Sequence, residues 1–499
     1  MEAMVQGVLN VFSPVIFLYI FIGVVLGVIV GILPGIGGVA TIAILLPFVY
    51  GKPPAIALAF LLSIYATNGT GGPITSILFG IPGETGNAPA ILDGHPMAKQ
   101  GRAGQALGAA ITASMVGGIL GAVWIAMLIP VVRPIIRAFG SPEIFVMALL
   151  GISFVAVLGR GSLPKAIVAG CLGLLLTFIG FHRGTGILRF TTGYIFLYDG
   201  LQIVPVMMGI FALPEVIDMM MEGTAIAKVE QSSVDRSQVL QGIKDVFRHW
   251  WLVLRCSAIG TSLGFVPGIG VSVATWLCYA HGKQTCKRGN EFGTGVVEGV
   301  IAPECADNAK EGGSLLTALA FGIPSGSGMA VLLAAIIMVG VVPGQEMMTK
   351  NLDLVWTLII TMIWANVLGA LMCLVTARDL ARVTFLKQSI LASLILLFII
   401  LGAYGIANDF RDVIVSFIVG GIGYLMKRFD YSRVTFVIGF VLGDYIERYF
   451  LLSVGSLGPG FLLGSPIACA LLAVTILGLA SGGIKTLYRR LLVKTREEG

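Results

Sequence analysis

Residues 33–38 read LPGIGG and residues 266–271 read VPGIGV, each inside otherwise apolar sequence. The proline removes a backbone donor and ends a helix. The glycines that follow leave the chain permissive and bare. Helix breaks are costly at membrane depth unless the freed backbone is buried in protein or lines a water-filled cavity. Two matching breaks in one chain therefore decide the fold, provided the surroundings are a membrane.

The composition says that they are. The 499 residues are 57% hydrophobic and 12% charged, about half the roughly 25% charged share of a soluble domain. A spanning helix needs about 20 apolar residues. Val8–Val30, Leu107–Ile129, Leu354–Val375, Ile390–Ala407, Val413–Met426, Val434–Leu451 and Ala468–Ile484 qualify or come close. Allowing roughly 40 residues per span and loop, the length predicts about 10–12 spans. The fold class expected is an all-α polytopic membrane protein. The 67 glycines are about twice the usual share, as close packing of membrane helices favours.

The net charge of +6 comes with no basic stripe interleaved with aromatics, so no nucleic-acid partner is expected. Basic residues fall mainly in loops. Arg489, Arg490, Lys494 and Arg496 place the C-terminus in the cytoplasm. The same rule puts Arg378, Arg382 and Lys387 inside, with Lys427, Arg428 and Arg433, and puts Asn408 and Gly455–Gly460 outside. The seven cysteines form no CxxC pair. Cys278, His281 and Cys286 fit no usual zinc spacing. The start, MEAMVQG, lacks a basic run and a small-residue cleavage site, so no removable signal peptide is expected, and the first span is expected to act as an uncleaved one.

The most polar stretch, near residues 222–249, divides the chain. It reads as a linker followed by an amphipathic segment. It separates an N-terminal membrane repeat (1–221) from a C-terminal one (250–484), with a basic tail at 485–499. Each half runs PGIG, then an Asn shortly before Gly-Gly, then FGIP. The first half has ATNGTGGP at Ala66–Pro73 and FGIPGETG at Phe79–Gly86. The second has ADNAKEGG at Ala306–Gly313 and FGIPSGSG at Phe321–Gly328. Broken helices in matching positions of two repeats point to the binding site of a secondary transporter. Freed N–H groups attract anions, and freed carbonyls coordinate a cation. Such a pair of breaks can hold an anion beside a coupling ion.

The candidate substrate-binding residues are Gly35, Gly37, Asn68, Thr70, Gly71, Gly72, Gly268, Gly270, Asn308, Lys310 and Gly313. Asn308 is read as the counterpart of Asn68. An amide offers donors and an acceptor together, and Lys310 is the countercharge for an anion; a buried charge inside a membrane is usually functional. The candidate ion-binding residues are Thr67, Gly69, Pro82, Asp307, Pro324 and Ser325. Glu304 can bind a cation or relay protons, and Glu84 is a weaker acid candidate. For each polar residue the alternative is an ordinary loop role. Asp93–Leu107, with His95, Lys99 and Arg102, reads as a polar loop entering a helix. No G-x-S-x-G frame, phosphate loop or paired histidine supports an enzyme, and no cofactor is expected. A passive pore, a scaffold subunit and a carrier without partners are the competing classes.

These motifs together resemble the large membrane subunit of the tripartite tricarboxylate transporters, the TctA family. The carrying residues are GILPGIGGVATIAILLPF at Gly31–Phe48, the run Ala66–Gly108, and FVPGIG with VIAPECADNAKEGGSLLTALAFGIPSGSGMAVLL in the second half. The resemblance implies an elevator-like carrier of citrate or other carboxylates in the bacterial inner membrane. It implies symport with a cation, Na+ or H+. It also implies two partners, a small four-span membrane subunit (TctB-like) and a periplasmic solute-binding protein (TctC-like). By analogy it places re-entrant hairpin tips near Thr67–Gly72 and Asp307–Gly313.

Overall fold

A computed structural model describes residues 2–33, 37–158, 162–182, 184–222, 235–380 and 388–480. Gly35, most of the polar linker, Arg382, Lys387 and the basic tail lie outside the described residues. The chain is all-α and polytopic. Six described helices are long and apolar enough to cross a membrane, and five shorter apolar helices of 10–17 residues accompany them. A hairpin pairing Gly180–Phe181 with Leu188–Arg189 is the strand structure among the described residues.

The first half runs α1 (Glu2–Val11), α2 (Pro14–Ile32), α3 (Gly37–Val49), α4 (Pro54–Phe79), α5 (Ile91–Lys99), α6 (Ala103–Arg137), α7 (Ser141–Leu158), α8 (Leu163–Thr177), α9 (Ile203–Met207) and α10 (Leu213–Glu222). A π-helical turn, Met208–Ala212, joins the last two. The second half opens with α11 (Arg236–Arg248), α12 (Trp250–Gly264), α13 (Val271–Thr285), α14 (Glu298–Phe321), α15 (Ser327–Met338), α16 (Gln345–Thr349) and α17 (Leu352–Leu380). It closes with α18 (Gln388–Ala407), α19 (Phe410–Arg428) and α20 (Arg433–Leu457), a short turn at Phe461–Gly464, and an apolar helix at Pro466–Ala480. The expected first span is cut in two at Phe12–Ser13. Ser13 caps α2 by accepting from the Ile16 N–H, and Pro14 takes the first helical position, where a missing donor costs nothing. Two long apolar helices escape the sequence reading, Pro54–Phe79 and Ile203–Met221.

The hairpin tips are not where analogy places them. Thr67–Gly72 lies in the middle of the continuous helix α4, and Asp307–Gly313 in the middle of α14. Both helices end instead at FGIP. Gly80 and Gly322 are left-handed C-caps with the same angles, φ 68 and ψ 20, a conformation that glycine adopts without strain. Glycines on both sides of the α2–α4 and α12–α14 contacts let the helices pack closely. Gly27 and Gly31 of α2 press on the carbonyls of Ile64 and Asn68 in α4, so a side chain at either would collide with backbone. Gly260 and Gly264 of α12 press on those of Ala306 and Lys310 in α14. In return Gly71 meets the Val28 carbonyl, and Gly313 that of Thr261.

The halves are also interleaved. α4 packs against α17 of the second half, and α14 against α6 of the first. Likewise α1 lies on α17 and α11 on α6. The expected amphipathic segment is thus α11, held by Asp245, which accepts from Gln105 Nε2 (2.6 Å) and Gln241 Nε2 (2.9 Å). At its end His249 Nδ1 bonds the Asp245 carbonyl and Nε2 lies 3.4 Å from Glu298. The Glu298 carboxylate beside it holds the His249 imidazole above its ordinary value, against partial burial. This contribution to stability is complete below about pH 6.5, the unfolded value, and is lost as pH rises through the raised folded value. The melting temperature of the purified protein should fall across that window, and His249→Gln should flatten the dependence.

The stretch expected to be a polar loop, Asp93–Leu107, is largely helical. His95 and Lys99 lie in α5, and α6 begins at Ala103 directly after Arg102. Asp93 is fully buried. Its carboxylate accepts from Tyr279 Oη (2.8 Å) and from the N–H groups of Gly293, Gly295 and Val296 (2.9, 2.9 and 3.0 Å). It thereby ties α5 to the chain entering α14.

Candidate functional site

The four glycine signatures meet at one cavity of about 640 Å³, within the roughly 300–1,000 Å³ range of small-molecule sites. Gly37 and Gly38 come from the first PGIG break, and Gly268 and Gly270 from the second. Pro82 closes the first FGIP and Gly83–Thr85 follow it, and Ser325–Gly328 follow the second. Gly37 and Gly268 have φ of 64° and 81°, which is how the chain turns sharply at each break. Tyr65 of α4 and Lys310 of α14 complete this wall. The facing wall includes Phe211, Glu215, Lys427 and Arg433. Lys427 and Arg433, read from sequence as flanking a loop, pair there with Glu215 at 2.7 and 3.2 Å.

Of the predicted substrate residues, Gly37, Gly268, Gly270 and Lys310 line the cavity, as do Pro82 and Ser325 of the ion set. Asn68, Thr70, Gly71, Gly72, Asn308 and Gly313 do not line it, and neither do Thr67, Gly69, Asp307 and Pro324. They sit in the packed layer behind. Asn308 Nδ2 donates to Thr70 Oγ1 (2.9 Å) and to Asn366 Oδ1 (2.6 Å).

The helix ends correct the pairing of Asn68 with Asn308. Counted back from Phe79 and Phe321, the eleventh residues are Asn68 and Lys310. Their backbone contacts agree, since Gly31 stands on the Asn68 carbonyl as Gly264 stands on that of Lys310. The mate of Asn308 is Ala66. The same count makes Glu84 and Gly326 mates, Gly86 and Gly328, and Tyr65 and Asp307. The contacts between halves are reciprocal: the Tyr65 ring lies on Gly328, and the Asp307 carboxylate on Gly86.

One difference between the mates is chemical. Asn68 Nδ2 donates to the Glu84 carboxylate. At the corresponding place Lys310 Nζ faces Gly326, and an added Cβ there would lie 3.5 Å from the ammonium. Lys310 is 2% exposed, and its ammonium makes no hydrogen bond or ion pair with any described residue. An ammonium so deeply buried costs several kcal/mol unless a partner compensates it. Ser325 Oγ beside it is buried without a partner.

Behind the cavity wall lies a polar layer that the sequence reading missed in part. Asn87 Nδ2 points at the Gly69 carbonyl (3.2 Å), both oxygens of Glu304 (3.2 Å) and Asp307 Oδ2 (3.1 Å). Ser114 Oγ donates to Glu304 Oε2 (3.0 Å). Tyr65, Asn87, Ser114 and Asn366 had no repeat signature to mark them. Among the described residues no group of three or more His, Cys, Asp or Glu could hold a metal ion.

The model of the "Tripartite tricarboxylate transporter TctA family" matches residues 17–438. An "Uncharacterized 52.8 kDa protein in TAR-I ttuC' 3'region" of Agrobacterium vitis is 33% identical over 454 residues, 88% of each chain. An "Uncharacterized protein in TAR-II ttuC' 3'region" of the same organism is 32% identical over 190 residues, 38% of this chain and 78% of the relative. No solved structure matches.

Proposed function

Because this chain belongs to the tripartite tricarboxylate transporter TctA family, we propose that it is the carrier subunit that moves a carboxylate across the bacterial inner membrane. The family is a transporter family, and its name makes the chain one of three components. The carboxylate binds in the cavity with one oxygen pair on Lys310. The observation that carries this reading is a lysine without a directly bonded carboxylate: Glu84 answers Asn68, whereas at the corresponding place Gly326 leaves the Lys310 ammonium open to the cavity, with Glu84, Asp307 and Glu311 near it but none in a hydrogen bond or ion pair with it. A substrate carboxylate supplies the direct partner that the ammonium lacks and gains charge-assisted hydrogen bonds. The wall with Lys427 and Arg433 belongs to the side rich in basic residues, so the cavity opens to the cytoplasm, as does the C-terminus. A small four-span membrane subunit and a periplasmic binding protein deliver the solute, and symport of a cation, Na+ or H+, drives it.

Uptake into proteoliposomes tests this reading. They hold the chain with a small membrane subunit of the family, under an imposed Na+ gradient, with and without a periplasmic binding protein. Accumulation of a carboxylate above the external concentration, dependent on the binding protein, is expected. Equilibration without accumulation would make the chain a pore. Accumulation without the binding protein would make it a stand-alone carrier.

A further inference from the structure

We infer that Asn87, Glu304, Asp307 and the Gly69 carbonyl form a binding site for a single monovalent cation, Na+. The inference rests on the carrier reading and assigns its coupling ion a place. It begins from a count of hydrogens. The Asn87 amide has two N–H bonds, yet four oxygens from three residues stand 3.1–3.2 Å from its nitrogen. Two of the four belong to one carboxylate and a third to another. Ser114 adds one donor, to Glu304 alone. Asp93 gives the contrast, a buried carboxylate with four donors of its own. The cluster has a surplus of acceptors over donors in a buried setting, which is unfavourable until a cation enters.

A second, separate group points to the same place. Asn308 Oδ1 is buried and has no hydrogen-bond partner. A Cβ added to Gly69 would lie 2.9 Å from it and 3.1 Å from Asp307 Oδ2. The bare glycine therefore leaves room where a carboxylate oxygen and an amide oxygen converge. Carbonyl, amide and carboxylate oxygens are the donors that hard cations take, and the carriers of broken-helix type hold Na+ on such groups. A proton needs two oxygens, whereas four surround one point here. Asn87 Oδ1 is also buried and unpartnered. Turning the amide about χ2 exchanges its N–H groups for this oxygen, so the residue can change from occupant to ligand.

The repeat shows that packing does not demand these residues. Counted from the two FGIP signatures, the mates of Glu304, Asp307 and Asn87 are Leu62, Tyr65 and Met329. The same framework is built there without a carboxylate. The site also adjoins the cavity. Asn87 follows Glu84 by one 3-10 turn, and Glu84 lines the cavity, so cation and substrate share one short segment.

Equilibrium binding of radioactive Na+ to the purified full chain, without carboxylate, tests the site apart from transport. Saturable binding is expected in the wild type and in Lys310→Met. It should weaken at least tenfold in Glu304→Gln and in Asp307→Asn. Asn87→Asp, which adds a third carboxylate, should make the melting temperature rise more steeply with NaCl than the wild type does, at ionic strength held constant with choline chloride. That variant covers the case in which the neutral substitutions fail to fold. No saturable Na+ binding by the wild type, or equal binding by the carboxylate variants, would overturn the inference. So would a melting temperature indifferent to Na+ in both wild type and Asn87→Asp. Lost binding in Lys310→Met alone would instead count against the separation of the two sites.

Discussion

Carboxylate uptake will fall roughly 10- to 100-fold when Lys310 is replaced by Met, because a charge-assisted hydrogen bond contributes about 1.5–3 kcal/mol and each 1.4 kcal/mol is about tenfold. The sharper test is Gly326→Glu. The backbone there is extended, with φ −163 and ψ 179, so any residue fits. The new Cβ would sit 3.5 Å from Lys310 Nζ, an ordinary contact. Glutamate at this position reproduces in the second half what Glu84 does in the first. It should place its own carboxylate on the ammonium and reduce uptake to background while the protein stays monodisperse. Gly326→Ala, equally bulky at Cβ but neutral, should retain most of the activity. Normal transport by Gly326→Glu, measured in the same proteoliposomes, would remove Lys310 from the substrate site.

The second large effect is on folding. Asp93→Ala deletes the acceptor of three backbone N–H groups and of Tyr279 Oη, most of them buried. Each buried donor left unmade costs about 1–3 kcal/mol. The sum is comparable with a typical total stability of roughly 5–15 kcal/mol. Almost no monodisperse protein should be recovered in detergent, as size-exclusion chromatography would show. Asp93→Asn, which keeps an acceptor oxygen, should be recovered in part with a lower melting temperature. Full recovery of Asp93→Ala would mean that the junction into α14 is held by something else.

The sequence made the framework legible because proline and glycine act locally. PGIG and FGIP mark helix ends wherever the chain runs, so the two breaks and their convergence on one cavity could be anticipated. The polar signature between them misled, since ATNGTGG and ADNAKEGG look like loops. Their glycines answer to neighbours elsewhere in the chain: Gly71 and Gly313 admit the backbones of α2 and α12, Gly312 that of α6, and Gly69 and Gly72 the side chains of Asn308 and Asn87. The same distance effect hid the register. Asn68 and Asn308 share a residue type, but only the helix ends show that Lys310 is the mate of Asn68. Asn87, Ser114 and Asn366 are single polar residues whose partners lie tens to hundreds of positions away. Periodicity has no means of marking them. Lys310, in contrast, is conspicuous in the sequence, because it is the single basic residue between Arg288 and Lys350.

The reciprocal seating of Tyr65 on Gly328 and Asp307 on Gly86 has a consequence for biosynthesis. Chains leave the ribosome from the N-terminus, so α4 enters the bilayer long before its seat exists. Until residue 328 has been translated, Tyr65 has no glycine to lie on. Until α14 has been threaded in, Asn87 has no carboxylates to bridge. The first half must therefore wait, unfinished and with polar groups exposed to lipid, for the second to arrive. A chain stopped at the midpoint should be held by insertion chaperones or degraded, and co-expression of the missing half from a second message should rescue it.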